Sequence, residues 1–302
     1  MNTEFDRDTA VRRRSPGSTD QFAADGDRAG QAVATAASAA LFDAEISPNW
    51  RAGRGPHGGY LAAMLLRALT ETIADPQRAP RSLTIHYARA PAPGPVQIHA
   101  VVERAGRSLS TLSARMEQEG KLMALALAAF SVPWHAPEIS DLPLPQVEPA
   151  EPRSEPPRPP HPQAPPFARH MEFQPRMGTR PFTGAQAPME VGGWLALAEP
   201  RPLDALALAF FSDALFSPPF IRLAEPAVTP TIDLTIHFRA YLPGAPEPGF
   251  AEQCFARFHS TVVHEGFFEE DGVIWASDGT VLLHSRQLAL VMPLDPAGHV
   301  RH

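Results

Sequence analysis

The chain has 302 residues, 44% of them apolar and 20% charged, which is enough for one large domain or two ordinary ones with a sizeable buried core. A formal net charge of -7 makes a nucleic-acid partner a poor expectation, because such a chain repels phosphate backbones at long range. The only cysteine, Cys254, has no partner for an internal disulfide, so nothing points to an oxidising compartment.

Residues 1–38 mix charges with Gly, Ser and Ala and lack the apolar stretch of a signal peptide, so they read as a disordered tail. No apolar run reaches the length of a membrane span, and the cytoplasm is the expected location. The first structured unit, 39–132, starts with HGG at 57–59 and the apolar segment GYLAAMLLRALTETI at 59–73. Its part 59–69 is apolar nearly all round, which predicts a surrounded helix. Strands are expected over LTIH at 83–86, VQIHAVVERAG, SLSTLSARMEQEG and KLMALALAAF, with Gly106 and Gly120 as punctuation.

Much of the chain's unusual content of 35 prolines falls in Pro133–Pro166. Proline has no amide proton to give a helix or a central strand, so 133–166 is predicted to be an extended connector lying over or beside the fold. The second unit, 167–296, repeats the order of the first. A strand is expected at 193–198, then a helix over PLDALALAFFSDALF at 202–216 with Pro202 near its first turn, then the strand TIDLTIHF at 231–238. The sequence LTIH recurs at 234–237, again followed by an aromatic and a Pro/Gly-rich turn, so the two units read as a duplication. In 231–239 strict alternation puts Ile232, Leu234, Ile236 and Phe238 on one face and Thr231, Asp233, Thr235, His237 and Arg239 on the other. Two long helices, each wrapped by an antiparallel sheet, satisfy these patterns: an α+β tandem, or double, hotdog.

Asp213 is the residue that stands out chemically, since a lone carboxylate late in an apolar helix is costly unless it is paired; the bland reading is a solvated helix end. Asp204, in the first turn, is explained by the helix dipole. The glycines at 58–59 open a helix whose unpaired amides could hold an oxyanion, although glycine before a helix is common. Thr231 and Gln287 are unremarkable alone, and His57, His86 and His237 are single histidines without a triad. No nucleophile elbow, zinc motif or dinucleotide fingerprint is present, so no metal and no cofactor is expected.

The stretches SDALFSPPF at 212–220, TIDLTIHF at 231–238, DGTVLLHSRQLALV at 278–291 and HGGYLAAML at 57–65 resemble the acyl-CoA thioesterase II family, over about residues 40–132 and 190–292. The resemblance implies a double hotdog of lipid metabolism that hydrolyses an acyl-CoA, its partner, with the attacking water held by Asp213, Thr231 and Gln287. It also implies an oxyanion held by the amides of Gly58 and Gly59. The acyl chain is expected along His57, Tyr60, Leu61, Leu65, Phe210 and Phe211, and the CoA phosphates near Arg51 and Arg54, with Arg104 and Arg107 as further candidates. The chain departs from the family where Leu234 stands in place of a His, at Pro218-Pro219, and in its long linker. A homo-oligomer is expected, although one chain already supplies the paired arrangement. The alternatives are a non-hydrolytic acyl-CoA or acyl-carrier binding protein, and a hotdog enoyl hydratase drafting His86 or His237.

Overall fold

The computed structural model describes residues 3–15, 39–162, 164–240, 242, 252–295 and 299–300. In chain order the main elements are α1 (Glu4–Asp8), β1 (Val11–Arg13), β2 (Ala39–Ile46), α2 (Gly58–Ile73), β3 (Ala79–Tyr87), β4 (Gly94–Ala105), β5 (Leu109–Gln118) and β6 (Lys121–Ser131). After the proline-rich segment come β7 (Met171–Met177), β8 (Glu190–Leu197), α3 (Ala205–Phe211), β9 (Thr231–Phe238), β10 (Gln253–His259), β11 (Phe267–Ala276) and β12 (Val281–Leu290). The long strands form one antiparallel sheet in the order β1-β2-β4-β5-β6-β3-β9-β12-β11-β10-β8-β7.

The two LTIH segments meet at the middle of this sheet. Leu83 pairs with Ile236, Thr84 with Thr235 and Ile85 with Leu234, so each copy of the motif is the partner of the other, running in the opposite direction. Thr84 and Thr235, equivalent in the repeat, bring their hydroxyls to 3.1 Å. A local two-fold relation therefore passes between them, and the strand order on either side mirrors it. Both halves also carry a bulge at the same place: between Pro80 and Ser82 in β3, and between Thr231 and Asp233 in β9.

The buried face of the sheet holds Leu83, Ile85, Leu234 and Ile236, with α2 and α3 packed over it. As its composition predicts, α2 is buried nearly all round, from Gly59 through Leu66 and again at Ala68 and Leu69. Gly59 lies so near α3 that a Cβ there would come 2.3 Å from the Phe210 carbonyl oxygen. Helix α3 is shorter than its apolar sequence suggests. It starts after its N-cap Asp204, which accepts from the Ala207 amide, so Pro202 lies before the cap. It ends at Phe211, where the Ser212 hydroxyl turns back onto the Ala209 carbonyl at 2.8 Å and competes with continuation of the helix.

The expected disordered tail needs correction over residues 3–15; residues 16–38 lie outside the described residues. Thr3 and Asp6 form a capping box on α1, and β1 extends the sheet beside β2. Asp6 accepts from the buried Arg201 at 3.0 Å, and Arg67 donates to Thr9 at 2.9 Å. Phe5 packs its ring against Trp50 and Phe210 at 5.7 and 5.8 Å. Charges that look solvated in one dimension thus have buried partners far along the chain. Truncating Phe5 to alanine is expected to cost about 3–5 kcal/mol, as for other buried aromatics, and to lower the denaturant midpoint accordingly.

Residues 133–165 contain no helix or strand among those described. Residues 142–150 run over the outer face of the second half, where Leu142, Leu144, Val147 and Ala150 cover a cluster of Trp194, Phe255 and Trp275. Both indoles donate into this segment, Trp194 to the Glu148 carbonyl at 2.9 Å and Trp275 to the Leu142 carbonyl at 3.2 Å.

Candidate active site

Where α2 begins, the chain has just left a short turn and His57 caps the helix: its Nδ1 accepts from the Tyr60 amide at 3.2 Å. With Nδ1 an acceptor, the ring proton sits on Nε2, which donates to the Asp213 carbonyl at 2.7 Å. Burial lowers the His57 pKa, against the opposing pull of the Asp213 charge, so the ring is neutral. The 3.6 Å approach of Nε2 to the Asp213 carboxylate is accordingly a neutral contact and no ion pair. Tyr87 supports the same turn by donating to the Gly58 carbonyl at 2.9 Å.

Asp213 lies two residues past the end of α3, where the helix has already stopped, rather than within it as the apolar run suggests. Its side chain is 16% exposed. One carboxylate oxygen accepts from the Gly59 amide at 3.1 Å, where the α2 dipole favours negative charge. The other lies 3.4 Å from the Gln287 amide nitrogen. The carboxylate is thus the tertiary partner of the opening turn of α2, and the bland reading of a solvated helix end fails.

Gln287 points into the buried side of β12 and is 5% exposed, against the expectation for a glutamine in a surface strand. Its carbonyl oxygen accepts from the Thr231 hydroxyl at 2.7 Å. Strict alternation would put Thr231 on the opposite face from Leu234, the partner of Gln287. The bulge corrects this: Thr231 pairs with Ala289 and Asp233 with Leu288, so two steps on β9 match one on β12. One inserted residue rotates Thr231 onto the buried face. The three expected residues, far apart in sequence, are therefore neighbours in one hydrogen-bonded chain at the start of α2.

A further member escapes the sequence reading. Glu270 of β11 is 4% exposed and accepts from the Gln287 amide nitrogen at 2.6 Å. Burial pushes its pKa up to about 8; the Gln287 hydrogen bond partly offsets this, and the charges of Asp213 and Asp271 add to it. Alternation along FFEEDGVIWA could have found it, since Phe268 and Ile274 fix the buried face and Glu270 falls on it.

Several expectations need correction. The Gly59 amide is occupied by Asp213, so of the two amides assigned to an oxyanion only that of Gly58 makes no hydrogen bond among the described residues. Tyr60, Leu61, Leu65, Phe210 and Phe211 are at most 3% exposed and fill the core between helices and sheet at close packing instead of lining an open path. Tyr60 stacks on Trp50, and its hydroxyl donates toward the carbonyls of Asp8 and Glu45. His57 is a buried cap. Arg51 and Arg54 are exposed on the turn before α2, and Arg104 and Arg107 are exposed as well. His86 and His237 are exposed on the outer face of the sheet, away from Leu83 and Leu234, which removes the structural basis of the hydratase alternative. No group of three or more metal-ligating side chains occurs among the described residues, and no described helix is long and apolar enough to cross a membrane.

Comparison with known proteins adds an independent line. Residues 46–131 match the acyl-CoA thioesterase N-terminal domain and residues 147–291 the acyl-CoA thioesterase C-terminal domain. A Mycobacterium tuberculosis protein without an assigned function is 26% identical over 278 residues, which cover 83% of this chain and 91% of that protein. Among solved structures, a hot dog fold protein of unknown function from Alicyclobacillus acidocaldarius superposes with a TM-score of 0.74 at 24% identity, covering 96% of this chain and 98% of its own. An acyl-CoA thioesterase II from Mycobacterium marinum gives a TM-score of 0.63 at 18% identity, over 85% of this chain and 93% of its own. At these identities the structural neighbours speak for the α+β hotdog fold alone.

Proposed function

Because the chain belongs to the acyl-CoA thioesterase family, we propose that it hydrolyses acyl-CoA thioesters to the free acid and CoA at the Asp213–Gln287–Thr231 cluster. The observation that carries this reading is the Asp213 carboxylate seated on the first turn of α2 and joined through the Gln287 amide to Thr231. A thioester needs a nucleophilic water and a place for negative charge on its carbonyl oxygen. Asp213 accepts a proton from water as that water's oxygen bonds to the carbonyl carbon. Thr231 and Gln287 hold the water in line. The Gly58 amide, aligned with the α2 dipole, receives the oxyanion. When the tetrahedral adduct collapses, the carbon–sulfur bond breaks, and the proton held by Asp213 passes to the departing thiolate. The step balances with water as the only co-reactant and forms no bond to the protein.

The same reading makes residues 39–132 and 167–296 two hotdog units in tandem, joined by 133–166. The mirrored strand order and the matching bulges support this division. It also puts the protein in lipid metabolism in the cytoplasm, assembled as a homo-oligomer, a state that light scattering of the purified protein reads directly.

The test is thiol release from a panel of acyl-CoAs of increasing chain length. Turnover well above the buffer rate on at least one member is expected. Tight binding without thiol release would instead establish a non-hydrolytic binding protein. For the CoA phosphates, Arg51 and Arg54 are exposed cations on the turn just before α2. Exposed charges contribute up to about 1 kcal/mol each, so the double alanine variant should raise KM for acyl-CoA by roughly three- to tenfold and leave kcat unchanged. Its KM for a thioester truncated to the pantetheine portion should not move.

A further inference from the structure

The duplicated fold contains its own control for the buried carboxyl Glu270. Leu83 pairs with Ala128, which pairs with Leu112; Leu234, equivalent to Leu83 in the repeat, pairs with Gln287, which pairs with Glu270. Glu270 and Gln287 therefore occupy the positions that Leu112 and Ala128 fill in the first half, and all four are buried. The architecture is satisfied there by two apolar side chains. Placing a carboxyl and an amide at those positions costs desolvation that packing does not require.

Their mutual geometry says what the substitution achieves. The Gln287 amide nitrogen lies 2.6 Å from Glu270 and 3.4 Å from Asp213, and its oxygen takes the Thr231 hydroxyl. The amide thus stands between two carboxyl groups with its donor end toward both. Turned the other way, its oxygen would face both acids and its nitrogen would meet the Thr231 hydroxyl. The groups facing Glu270 are Gln287 from β12 and Asp213 from the segment after α3, with Asp271 beside it on β11. On the neighbouring β10 the last paired residue is His259, opposite Asp271, and the Ser260 that follows it is buried, its hydroxyl without a hydrogen-bond partner. No cation is among them. Two carboxylates sharing one amide, without a counter-ion, cannot both be charged cheaply, and the more deeply buried one keeps the proton.

We propose that Glu270 is a positioning residue: carrying a proton, it fixes the orientation of the Gln287 amide for the attacking water and leaves Asp213 as the only charge of the cluster. This rests on the thioesterase reading above. Once ionised, Glu270 would oppose the negative charge that develops on the thioester oxygen. The burial that raises its pKa to about 8 places that change in an accessible range.

The experiment compares wild type, Glu270→Gln and Glu270→Leu in thiol release on the best substrate of the panel between pH ~5 and ~9, and in thermal unfolding over the same range. The wild-type kcat is expected to decline as pH rises through about 8. E270Q, whose amide oxygen can still accept from Gln287, should keep kcat within about threefold at neutral pH and lose that decline. E270L, packed like Leu112, should fold but lose about 10- to 100-fold in kcat at every pH with little change in KM, because the amide is no longer held. In unfolding, a raised folded pKa means that the stability Glu270 contributes is complete below its unfolded value and is lost as pH rises through the folded one. The Tm of E270Q relative to wild type should therefore climb with pH until about 8 and then level off. Wild-type kcat in E270L, an unchanged alkaline decline in E270Q, or a Tm difference flat in pH would each overturn the proposal. If wild type releases no thiol from any acyl-CoA while the Tm difference still climbs, the protonated carboxyl stands and the thioesterase reading fails, taking the positioning role with it.

Discussion

Asp213→Asn is expected to lower kcat for acyl-CoA hydrolysis by about 10²–10⁴-fold, the usual contribution of a general base, with KM and Tm close to wild type. The substitution removes the charge and the proton-accepting site together. It keeps an oxygen able to receive the Gly59 amide, now 3.1 Å from the carboxylate. It leaves in place the main-chain bond by which the His57 ring holds the Asp213 carbonyl at 2.7 Å. Thiol release and circular dichroism on the same preparations check the two halves of the expectation. A variant that is folded and as fast as wild type would remove Asp213 from the chemistry.

The second large effect is expected at Gly59, and its neighbour provides the contrast. An alanine Cβ at Gly59 would lie 2.3 Å from the Phe210 carbonyl oxygen and 2.9 Å from the His57 ring. Neither a backbone carbonyl inside α3 nor a fully buried ring can yield cheaply, so α2 and α3 must separate. Overpacking of this kind costs about 1–3 kcal/mol, and a rigid backbone contact belongs at the upper end. The junction also places Asp213 on the first turn of α2, so activity should fall along with stability. At Gly58 the same Cβ would meet the Asp213 carboxylate oxygen at 2.7 Å and the Tyr87 ring at 3.5 Å. There the obstacle is a side-chain tip that can swing away. G58A is expected to keep most of its stability and lose activity, because the base is displaced. Chemical denaturation and kcat together distinguish the two variants; equal stability losses would show that the helix crossing is not as tight as described.

Period two and the repeated LTIH were legible because they are properties of consecutive residues, and the two LTIH segments pair with each other across the middle of the sheet. What escaped the sequence depends on contacts between distant segments. Alternation places Thr231 on the wrong face, and a single bulge, invisible in composition, returns it to Gln287. The apolar run LALAFFSDALF looks like one helix through Asp213, yet Ser212 bonds back to Ala209 and the next residue is captured by the start of α2. The charge of Asp6 looks solvated until Arg67 and Arg201 are seen beside it. Glu270 was legible in principle from the alternation of FFEEDGVIWA. The weight of that alternation appears only when Leu112 is seen at the equivalent place.

The most direct measurement is the crystal structure of the complex with an acyl-CoA analogue whose sulfur is replaced by a methylene, which leaves a ketone that cannot be hydrolysed. The predicted electron density has the ketone oxygen on the Gly58 amide and one water between the Asp213 carboxylate and the ketone carbon. A ketone bound away from the start of α2, or turned so that no water can stand between it and Asp213, would contradict the account.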